Sequence, residues 1–337
     1  MNQAGQKHNV TIVIPNYNGK VFLEPCLKSL EKQSIKDFSI IVVDNCSRDG
    51  SVDFLRKNYP KVEVVVLEKN KGFAGGVNEG IKRAKTDSII VLNNDTIQEK
   101  NWLQELISAA EQNSEAGIFA SKVLKMEKRK EIDSTGDFYN WWGMPFPRGR
   151  DEIDKGQYDN KTEIFGATGN GTLYKREVFE KIGLFDEEFF AYYEDVDLSF
   201  RAQLTGFKCK FVPQAVIYHK IGATSEKMSN FSLYHALKNS YYLFFKNAPF
   251  PLVITKFPKF FLGQMLRAIS TIKKGHPLVL LKVYFRVFVK IPHIFKERRE
   301  IMKIKNVSNK YINKVIQEQF PPLLKNRLQK RISSKQS

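Results

Sequence analysis

The sequence has few cysteines, no long apolar run and no secretion-type start. Its three cysteines, Cys26, Cys46 and Cys209, include no CxxC spacing, so reduced thiols in a cytosolic compartment are expected rather than a disulfide framework or a cysteine-based zinc site. No stretch reaches the ~18 uncharged apolar residues that a membrane-spanning helix requires. Residues 1–9 are polar and lack an apolar core, so no secretion signal is expected.

Two glycine-rich nucleotide-binding motifs are also absent. The turn after the first predicted strand contains one glycine, Gly19, and therefore does not match the GxGxxG pattern of dinucleotide-binding proteins. No GxxxxGK[ST] sequence of a phosphate-binding loop occurs either. These absences argue against a dehydrogenase and against a kinase. A nucleotide would have to be held by a metal ion and by scattered side chains.

Acidic residues are scarce in the last third of the chain. Residues 220–337 contain 24 Lys and Arg but only four Asp and Glu, a balance of +20, whereas residues 1–219 contain 30 basic and 32 acidic residues, a balance of −2. The C-terminal third therefore carries the whole net charge of +18. Such an asymmetry predicts contact with an anionic surface, either a membrane or a nucleic acid.

The same C-terminal region is predicted to be helical. In residues 252–270 and 278–295, basic side chains recur at helical spacing amid Val, Leu, Phe and Ile. A narrow basic stripe on a broad apolar surface is typical of a helix lying in a membrane interface. A core helix whose lysines extend to solvent would give the same pattern. Breaks between the helices are expected at Pro249, Pro251, Pro258 and Pro277.

Short apolar strands alternate with helical patterns in the first half of the chain. Strands are predicted at residues 10–14, 38–43, 62–67 and 88–92, and helices at about 21–33, 73–84 and 101–113. Continuous apolar strands alternating with helices indicate an α/β fold, in which helices flank both faces of a mostly parallel sheet. After about Glu115 the pattern becomes irregular, and residues 125–165 are predicted as a long loop or a small mixed sheet. Regular structure resumes with strands at 171–174 and 215–218 and a helix at 195–204.

Polar side chains follow each of the first four strands. The last of these groups is Asn93-Asn94-Asp95. Because the carboxyl ends of parallel strands meet at one edge, where open α/β sheets bind ligands, these groups are expected to lie together. Aspartate is a ligand that Mg²⁺ uses when it holds substrate phosphates. The pattern predicts a metal-held nucleotide at this edge, although any one group alone could be an ordinary turn.

A second acidic cluster, Glu194-Asp195-Val196-Asp197, lies at a predicted helix start. Carboxylates are favoured there by the helix dipole, which gives a structural explanation. A carboxylate beside a sugar acceptor could instead act as a general base. His219 ends a predicted strand, where it suits a metal ligand, a base or a hydrogen-bonded core histidine.

Together these motifs resemble family 2 glycosyltransferases of the GT-A fold. Within that family the chain is most similar to the rhamnosyltransferase-type branch of bacterial polysaccharide assembly. The resemblance covers about residues 10–225. It implies a catalytic domain, placed at residues 1–225, and the remaining residues 226–337 are the basic helical region that the charge and the helical spacing predict. The matching motifs, in chain order, are residues 13–18, 42–51, 70–78 and 183–201, then Pro213 and residues 219–224.

The resemblance also implies a role for each motif residue. Asp95 would hold Mn²⁺ or Mg²⁺ on the donor diphosphate, with His219 completing the coordination. Asp195 would be the catalytic base that deprotonates an acceptor hydroxyl, giving inversion at the anomeric carbon. The nucleotide site would be formed by Pro15, Asn18, Asp44, Lys71, Asn78, Asn93 and Asn94.

The chain departs from the commonest family pattern at Asn93, where an acid is usual. Asp95 is then the only carboxylate of the metal-binding motif. Asn-Asn-Asp is common in the branch that uses dTDP-rhamnose, which favours a deoxyhexose donor.

The predicted function is transfer of a sugar from a nucleotide-diphosphate donor to a glycan or lipid-linked glycan acceptor. The enzyme is expected on the cytoplasmic face of the cell membrane, bound to its anionic surface, and no nucleic-acid partner is expected. Two alternatives remain from the sequence. A sugar-nucleotide pyrophosphorylase would need a glycine-rich basic loop after the first strand. A non-enzymatic nucleic-acid-binding protein would use the basic C-terminal region.

Overall fold

The computed structural model of the protein describes residues 9–220 and 230–318. The predicted polar start at residues 1–8 and the part of the resemblance at residues 221–224 lie outside these ranges. The strands within them are β1 (Val10–Asn16), β2 (Ser39–Asp44), β3 (Glu63–Val66), β4 (Ser88–Val91), β5 (Thr96–Gln98), β6 (Ala116–Lys125), β7 (Ile132–Ser134), β8 (Asp137–Phe138), β9 (Phe146–Pro147), β10 (Glu163–Ile164), β11 (Thr172–Lys175) and β12 (Lys208–His219).

Helices cover the sheet and form the C-terminal region. They are α1 (Lys20–Glu31), α2 (Ser51–Asn58), α3 (Gly72–Arg83), α4 (Trp102–Gln112), α5 (Arg176–Ile182), α6 (Glu194–Thr205), α7 (Phe231–Asn247), α8 (Phe250–Lys273), α9 (Pro277–Val289), α10 (Ile291–Ile304) and α11 (Asn309–Val315). The predicted α/β class, with a helical region after the sheet, is confirmed.

The central sheet has the strand order β10-β12-β6-β11-β4-β1-β2-β3. Strands β1 to β4 are parallel where they pair, and β6 is parallel to β12. Strand β11 is antiparallel to both of its neighbours, β4 and β6. Because β11 is reversed, the residues that precede it lie at the same sheet edge as the carboxyl ends of β1, β2 and β4. This edge gathers the predicted motifs.

Side chains of each strand alternate between two hydrophobic cores. In β1, Ile12 and Ile14 pack with Leu23 of α1 on one face, whereas Val13 packs with Val77 of α3 on the other. All five side chains are fully buried. Alternation with a period of two explains why a strand covered on both faces is apolar throughout.

The sequence did not predict the short strand β5 or the long strand β6. The irregular pattern expected after Glu115 is wrong for residues 116–125, which form the long and almost wholly buried β6. Its interior contains a lysine, Lys122, whose ammonium group pairs with Asp154 at 3.0 Å and with Asp159 at 2.8 Å. A buried cation is tolerated only when it is paired, and these partners come from residues 30 or more positions later.

The prolines of the C-terminal region act differently from one another. Pro249 precedes α8, Pro251 lies in its first turn and Pro277 begins α9, as their restricted φ favours. The break predicted at Pro258 is wrong, because α8 continues through it. Pro258 is exposed, and Phe260 two residues later is buried, so tertiary packing offsets the loss of one helical hydrogen bond.

The C-terminal helices pack on the α/β region through a shared aromatic cluster. It joins Phe200 of α6 and Phe165 to Phe244 of α7 and Phe260 of α8, with the last two rings stacked 4.0 Å apart. The division of the chain at residue 225 stays a prediction.

Helices α8 and α9 leave one apolar side uncovered. None of the helices described within residues 9–220 and 230–318 is long and apolar enough to cross a membrane. The exposed side chains, which we call the apolar face, are Ile254, Phe257, Phe261, Leu262, Met265, Leu266, Ile269 and Ile272 of α8, and Leu278, Leu281, Phe285 and Phe288 of α9.

Several basic residues predicted to form a stripe on these helices are engaged with the rest of the chain. Arg286 and Lys290 pair with Glu188 at 3.0 and 2.6 Å. Lys256 and Lys259 both pair with Glu318. Other exposed cations flank the apolar face: Lys273, Lys274, Lys282 and Lys296. These four lysines form no ion pair within the described part of the chain.

Candidate active site

A chain of buried polar groups links the ends of three parallel strands. Asn16 at the end of β1 donates its amide to Asp44 Oδ2 at 2.9 Å and accepts from Asn94 Nδ2 at 2.7 Å. Asp44 at the end of β2 also accepts from the Ser47 backbone at 2.8 Å. The predicted residues Asp44 and Asn94 therefore meet through Asn16, which the sequence did not single out.

The turn after β1 brings its backbone close to these hydrogen-bonded side chains. A Cβ on Gly19 would lie 2.2 Å from Asn94 Nδ2, so only glycine fits beneath the amide. Asn18 adopts a positive φ of 49° and accepts from the Arg48 backbone at 2.8 Å. Pro15 lies opposite Val43 in the β1–β2 pairing and is partly exposed. Asn18 and Pro15 thus lie beside the strand ends, on the side that is exposed to solvent.

Lys71 and Asn78 lie on the neighbouring helix α3 or just before it. Lys71 Nζ pairs with Glu79 at 3.0 Å. Asn78 is buried, and its amide both donates to Phe185 O at 2.8 Å and accepts from Phe185 N at 3.0 Å. Asn78 therefore ties α3 to the segment after α5, and its side chain is already satisfied. Lys71 remains at the surface near the strand ends.

Asp95 and His219 lie side by side at the same sheet edge. His219 Nε2 is 3.5 Å from Asp95 Oδ1 because β5 and β12 pair with His219 opposite Thr96. The other ring nitrogen, Nδ1, is 2.8 Å from Asp133 Oδ2, and Asp133 accepts from Arg150 Nε at 2.9 Å. Burial lowers the pKa of His219, but the hydrogen bond with Asp133 and the negative charges of Asp133 and Asp95 together outweigh it and raise the pKa to about 9.

The Asp95–His219 pair fits a divalent ion that takes its remaining ligands from a substrate. Within the described residues, no group of three or more His, Cys, Asp or Glu side chains could enclose a metal ion. Asp95 Oδ1 is nevertheless buried without a hydrogen-bond partner, beside His219. A carboxylate suits Mn²⁺ or Mg²⁺, and Mg²⁺ commonly takes one or two carboxylates plus substrate phosphates. The imidazole could add a ligand once the ion displaces its proton.

Asp195, the second residue of α6, is held by two backbone N–H groups. Gly169 N donates to its Oδ2 at 2.9 Å and Val196 N to its Oδ1 at 2.8 Å. Burial raises the pKa of Asp195 by more than these hydrogen bonds lower it. Asp195 is partly exposed, whereas the adjacent Glu194 is buried. Burial, followed by the charge of Asp195, raises the pKa of Glu194 well above the ordinary value. A carboxylate of raised pKa is suited to general-base catalysis.

The loop before β11 connects Asp195 with the end of β4. Gly169 binds Asp195, and two residues later Gly171 N donates to Val91 O at 2.9 Å. Val91 is the last residue of β4, four positions before Asp95. This loop therefore binds the candidate base directly and also binds the end of β4, the strand that leads to the candidate metal ligand, although the two carboxylates are 100 residues apart in sequence.

A family model described as "Glycosyl transferase family 2" matches residues 11–183, just over half of the chain. The chain belongs to glycosyl transferase family 2. The family resemblance predicted from the motifs is confirmed, and the protein is a glycosyltransferase. The pyrophosphorylase alternative and the non-enzymatic alternative are therefore set aside. The matched segment includes Asp44 and Asp95 and ends before Asp195 and His219.

Curated relatives include two rhamnosyltransferases. The N-acetylglucosaminyl-diphospho-decaprenol L-rhamnosyltransferase of Mycobacterium tuberculosis is 26% identical over 253 residues, which cover 66% of this chain and 80% of the relative. The dTDP-rhamnosyl transferase RfbF of Shigella flexneri is 26% identical over 251 residues, which cover 71% of this chain and 81% of the relative.

Solved structures share the fold of this glycosyltransferase. The mannosyltransferase PcManGT of Pyrobaculum calidifontis, in complex with GDP-Man and Mn²⁺, superposes with a TM-score of 0.53 at 14% identity, covering 89% of this chain and 86% of that one. GalNAc-T7 with UDP, GalNAc and Mn²⁺ gives a TM-score of 0.56 at 18% identity, covering 71% of this chain and 48% of that one. The GT-A fold expected from the resemblance is confirmed.

The geometry adds residues that the motifs did not indicate. Asn16 joins the strand ends, and Asp133 with Arg150 orients His219. Asn16 lies within a motif at a strand end, and this position could have indicated it as a site residue from the sequence. Asp133 lies in the region predicted as loop or mixed sheet and is 86 positions from His219, so no local pattern could indicate it. Asn93 is partly exposed beside Asn94, with its backbone carbonyl accepting from Thr96.

Replacing Asn16 with Ala is expected to destabilise the protein by about 1–3 kcal/mol, because buried groups of Asp44 and Asn94 lose their partner. The measurement is the free energy of unfolding from urea titration. The control is Asn58→Ala, whose amide donates to Phe54 O on an exposed helix, with an expected change within about 0.5 kcal/mol. Equal losses in the two variants would contradict a special role for Asn16.

Proposed function

We propose that this glycosyltransferase transfers L-rhamnose from dTDP-rhamnose to a hydroxyl of a lipid-linked glycan, with inversion, during cell-surface polysaccharide assembly. The observation that carries the proposal is the position of the loop before β11. Through Gly169 it binds the Asp195 carboxylate, whose pKa is raised, and through Gly171 it binds the end of β4, the strand that leads to the Asp95–His219 pair. The choice of donor and acceptor is supported by the two rhamnosyltransferase relatives and by the Asn93-Asn94-Asp95 sequence.

Asp195 would accept the proton of the acceptor hydroxyl. The hydroxyl oxygen forms a bond to the anomeric carbon from the face opposite the diphosphate, while the bond from that carbon to the diphosphate oxygen breaks. The N–H groups of Gly169 and Val196 restrain the carboxylate, so it is oriented before the acceptor arrives. Burial favours the protonated form and strengthens Asp195 as a base.

The nucleotide would lie along the strand ends. Pro15 and Asn18 are open enough to line the base and ribose, and Lys71 is near enough to the surface to approach the nucleotide. Asp44, Asn78 and Asn94 would act mainly by holding the strand ends and α3 in place, because their side chains are engaged internally. Asn93 would hydrogen-bond the ribose.

A Mn²⁺ or Mg²⁺ ion would be held by Asp95 and His219. When bound, it supplies positive charge that stabilises the leaving diphosphate. Asp133 would orient the imidazole by binding Nδ1, which leaves Nε2 toward Asp95. Carboxylates that bind a ligating histidine in this way commonly govern metal affinity.

The apolar face would bind the inner surface of the cytoplasmic membrane, where a lipid-linked acceptor is located. An uncovered apolar helix surface flanked by lysines is typical of interfacial helices. Lys273 and Lys274 end α8, and Lys282 and Lys296 flank the face on α9 and α10. The attachment would be chiefly hydrophobic, with lysines near anionic headgroups adding to it.

The activity test measures dTDP release from dTDP-rhamnose with Mn²⁺ and a short polyprenyl-diphosphate N-acetylglucosamine acceptor. Asp195→Asn is expected to lower kcat by about 10²–10⁴-fold, because the general base is lost. Glu177→Gln is the control, since Glu177 holds the same second position in α5, and it should keep wild-type kcat. A folded Asp195→Asn enzyme with wild-type kcat would refute the assigned base, and preference for a UDP- or GDP-sugar would refute the donor.

Metal affinity tests the role of Asp133. Asp133→Asn is expected to weaken Mn²⁺ binding by about 10–100-fold in the presence of dTDP, because His219 loses its orienting carboxylate. Electron paramagnetic resonance of free Mn²⁺ gives the affinity without any turnover. Asp151→Asn, which removes an exposed partner of Lys125, serves as the control and should bind as wild type. Unchanged affinity in Asp133→Asn would contradict the assignment.

Membrane attachment can be tested by co-sedimentation with vesicles of phosphatidylglycerol and phosphatidylcholine. The double variant Phe285→Glu with Phe288→Glu is expected to bind at least about tenfold more weakly, since two large side chains no longer enter the apolar phase. Val21→Glu is the control, because Val21 is equally exposed but lies on α1. Unchanged binding by the double variant would contradict the role of the apolar face.

A further inference from the structure

The loop of residues 186–193, which leads into α6, has an unusual backbone. Phe190, Tyr192 and Tyr193 all have positive φ values, of 67°, 66° and 72°. Bulky L-residues rarely occupy this region, and they remain there only where surrounding contacts enforce it. Three such residues within four positions require a strong external restraint, and it comes from another part of the chain.

The conformation of this loop determines where α6 begins. Tyr193 is the residue before the helix, and its carbonyl accepts from Asp197 N at 2.9 Å. Asp195 lies in the same first turn, two residues after Tyr193. A change in the Tyr193 backbone would therefore displace the Asp195 carboxylate from Gly169 N.

One buried side chain of α7 binds three carbonyls of the loop. Asn239 Nδ2 lies 3.1 Å from Phe189 O, 2.9 Å from Ala191 O and 2.6 Å from Tyr192 O. Asn239 is fully buried, and the amide nitrogen can only donate. The carbonyls on both sides of the left-handed residue Phe190 thus converge on one amide group and share its two N–H donors.

Neighbouring residues on the same face of α7 complete this set of contacts. Lys238 donates to Glu188 O, and His235 Nδ1 lies 3.2 Å from Phe189 O. Burial, followed by the charge of Lys238, lowers the pKa of His235 to about 4. The imidazole is therefore neutral at pH 7, and Nδ1 donates to the carbonyl. The spacing i, i+3, i+4 places all three residues toward the loop.

The loop is also held from two other directions. Ala74 N at the start of α3 donates to Phe190 O at 3.3 Å, and a Cβ on Gly72 would lie 2.3 Å from the same oxygen. On the opposite side, Glu188 pairs with Arg286 and Lys290 of α9 or just after it. The loop thus lies between the nucleotide side of the site and the helix that carries part of the apolar face.

We infer that Asn239 is a positioning residue for the reaction: by binding the three carbonyls it holds the loop in the left-handed conformation that places Asp195 beside Gly169. The C-terminal helices are therefore part of the catalytic apparatus as well as a surface that meets a membrane. The inference rests on the proposed role of Asp195 as the base.

The test compares Asn239→Ala, the milder Asn239→Ser and the control Ser240→Ala in the full-length enzyme. Ser240 is also a buried α7 residue, but it donates to Gly143 O on a different loop. Asn239→Ala is expected to lower kcat about 10–100-fold, with the KM for dTDP-rhamnose and the affinity for Mn²⁺ changed less than twofold. Asn239→Ser should fall between the wild type and Asn239→Ala. Ser240→Ala should keep the wild-type kcat whatever its melting temperature.

A double-mutant cycle separates positioning from general destabilisation. If Asn239 acts through Asp195, adding Asn239→Ala to Asp195→Asn should lower kcat no further. A wild-type kcat in both Asn239 variants, or the same fold-loss with and without Asp195→Asn, would overturn the inference. Asp195→Asn with wild-type kcat would instead refute the proposed base, so the two failures are distinguishable.

Discussion

A single buried carboxylate, Asp197, joins the C-terminal helices to the α/β region. It has no exposed surface, and it accepts from Arg201 Nε at 3.0 Å, Lys246 Nζ at 3.0 Å and Asn247 Nδ2 at 2.8 Å. Lys246 also reaches Asp186 at 2.6 Å. Burial raises the pKa of Asp186, but the charge of Lys246 and the hydrogen bonds from Lys246 and the Glu188 N–H are among the causes that together outweigh burial, and the pKa is lowered. Such a buried cluster tolerates few alternative arrangements, because losing one partner leaves an unpaired charge.

The remaining features of the site depend on this cluster. Lys246 and Asn247 end α7, Asp197 lies one turn into α6, and Asp186 begins the loop between α5 and α6. With both ends of that loop held, Asn239 can bind its middle. The acidic residues of this segment therefore divide into two roles: Asp197 and Asp186 hold helices, whereas Asp195 is left to face the site. Burial and hydrogen-bond partners both distinguish these roles: Asp197 has no exposed surface and is paired with side chains of α6 and α7, whereas Asp195 is partly exposed and accepts from backbone N–H groups.

The sequence predicted local structure well where hydrophobic pattern and turn chemistry agree. The strands that became β1 to β4, and the polar residues that follow them, were recognisable because each strand is apolar on both faces and ends at a turn. Strand β6 was missed because Lys122 interrupts its apolar pattern and is neutralised by partners far along the chain. For the site, Asp95 and His219 could be named from strand ends, but Asp133 and Asn239 could not. Both of these act through contacts between distant segments, which no local pattern records.

The uncovered side of α8 and α9 has a consequence for encounter rates. If the protein attaches to a bilayer through Phe285, Phe288 and their neighbours, as proposed, it would search for a lipid-linked acceptor in two dimensions, within a layer only as thick as the protein. The acceptor concentration at the site would then be set by the surface density of the acceptor and by the height of the site above the lipid, rather than by the volume of the cell. Under these conditions a weak intrinsic affinity for the glycan acceptor would suffice. Only the donor, which diffuses in solution, would need to be bound tightly.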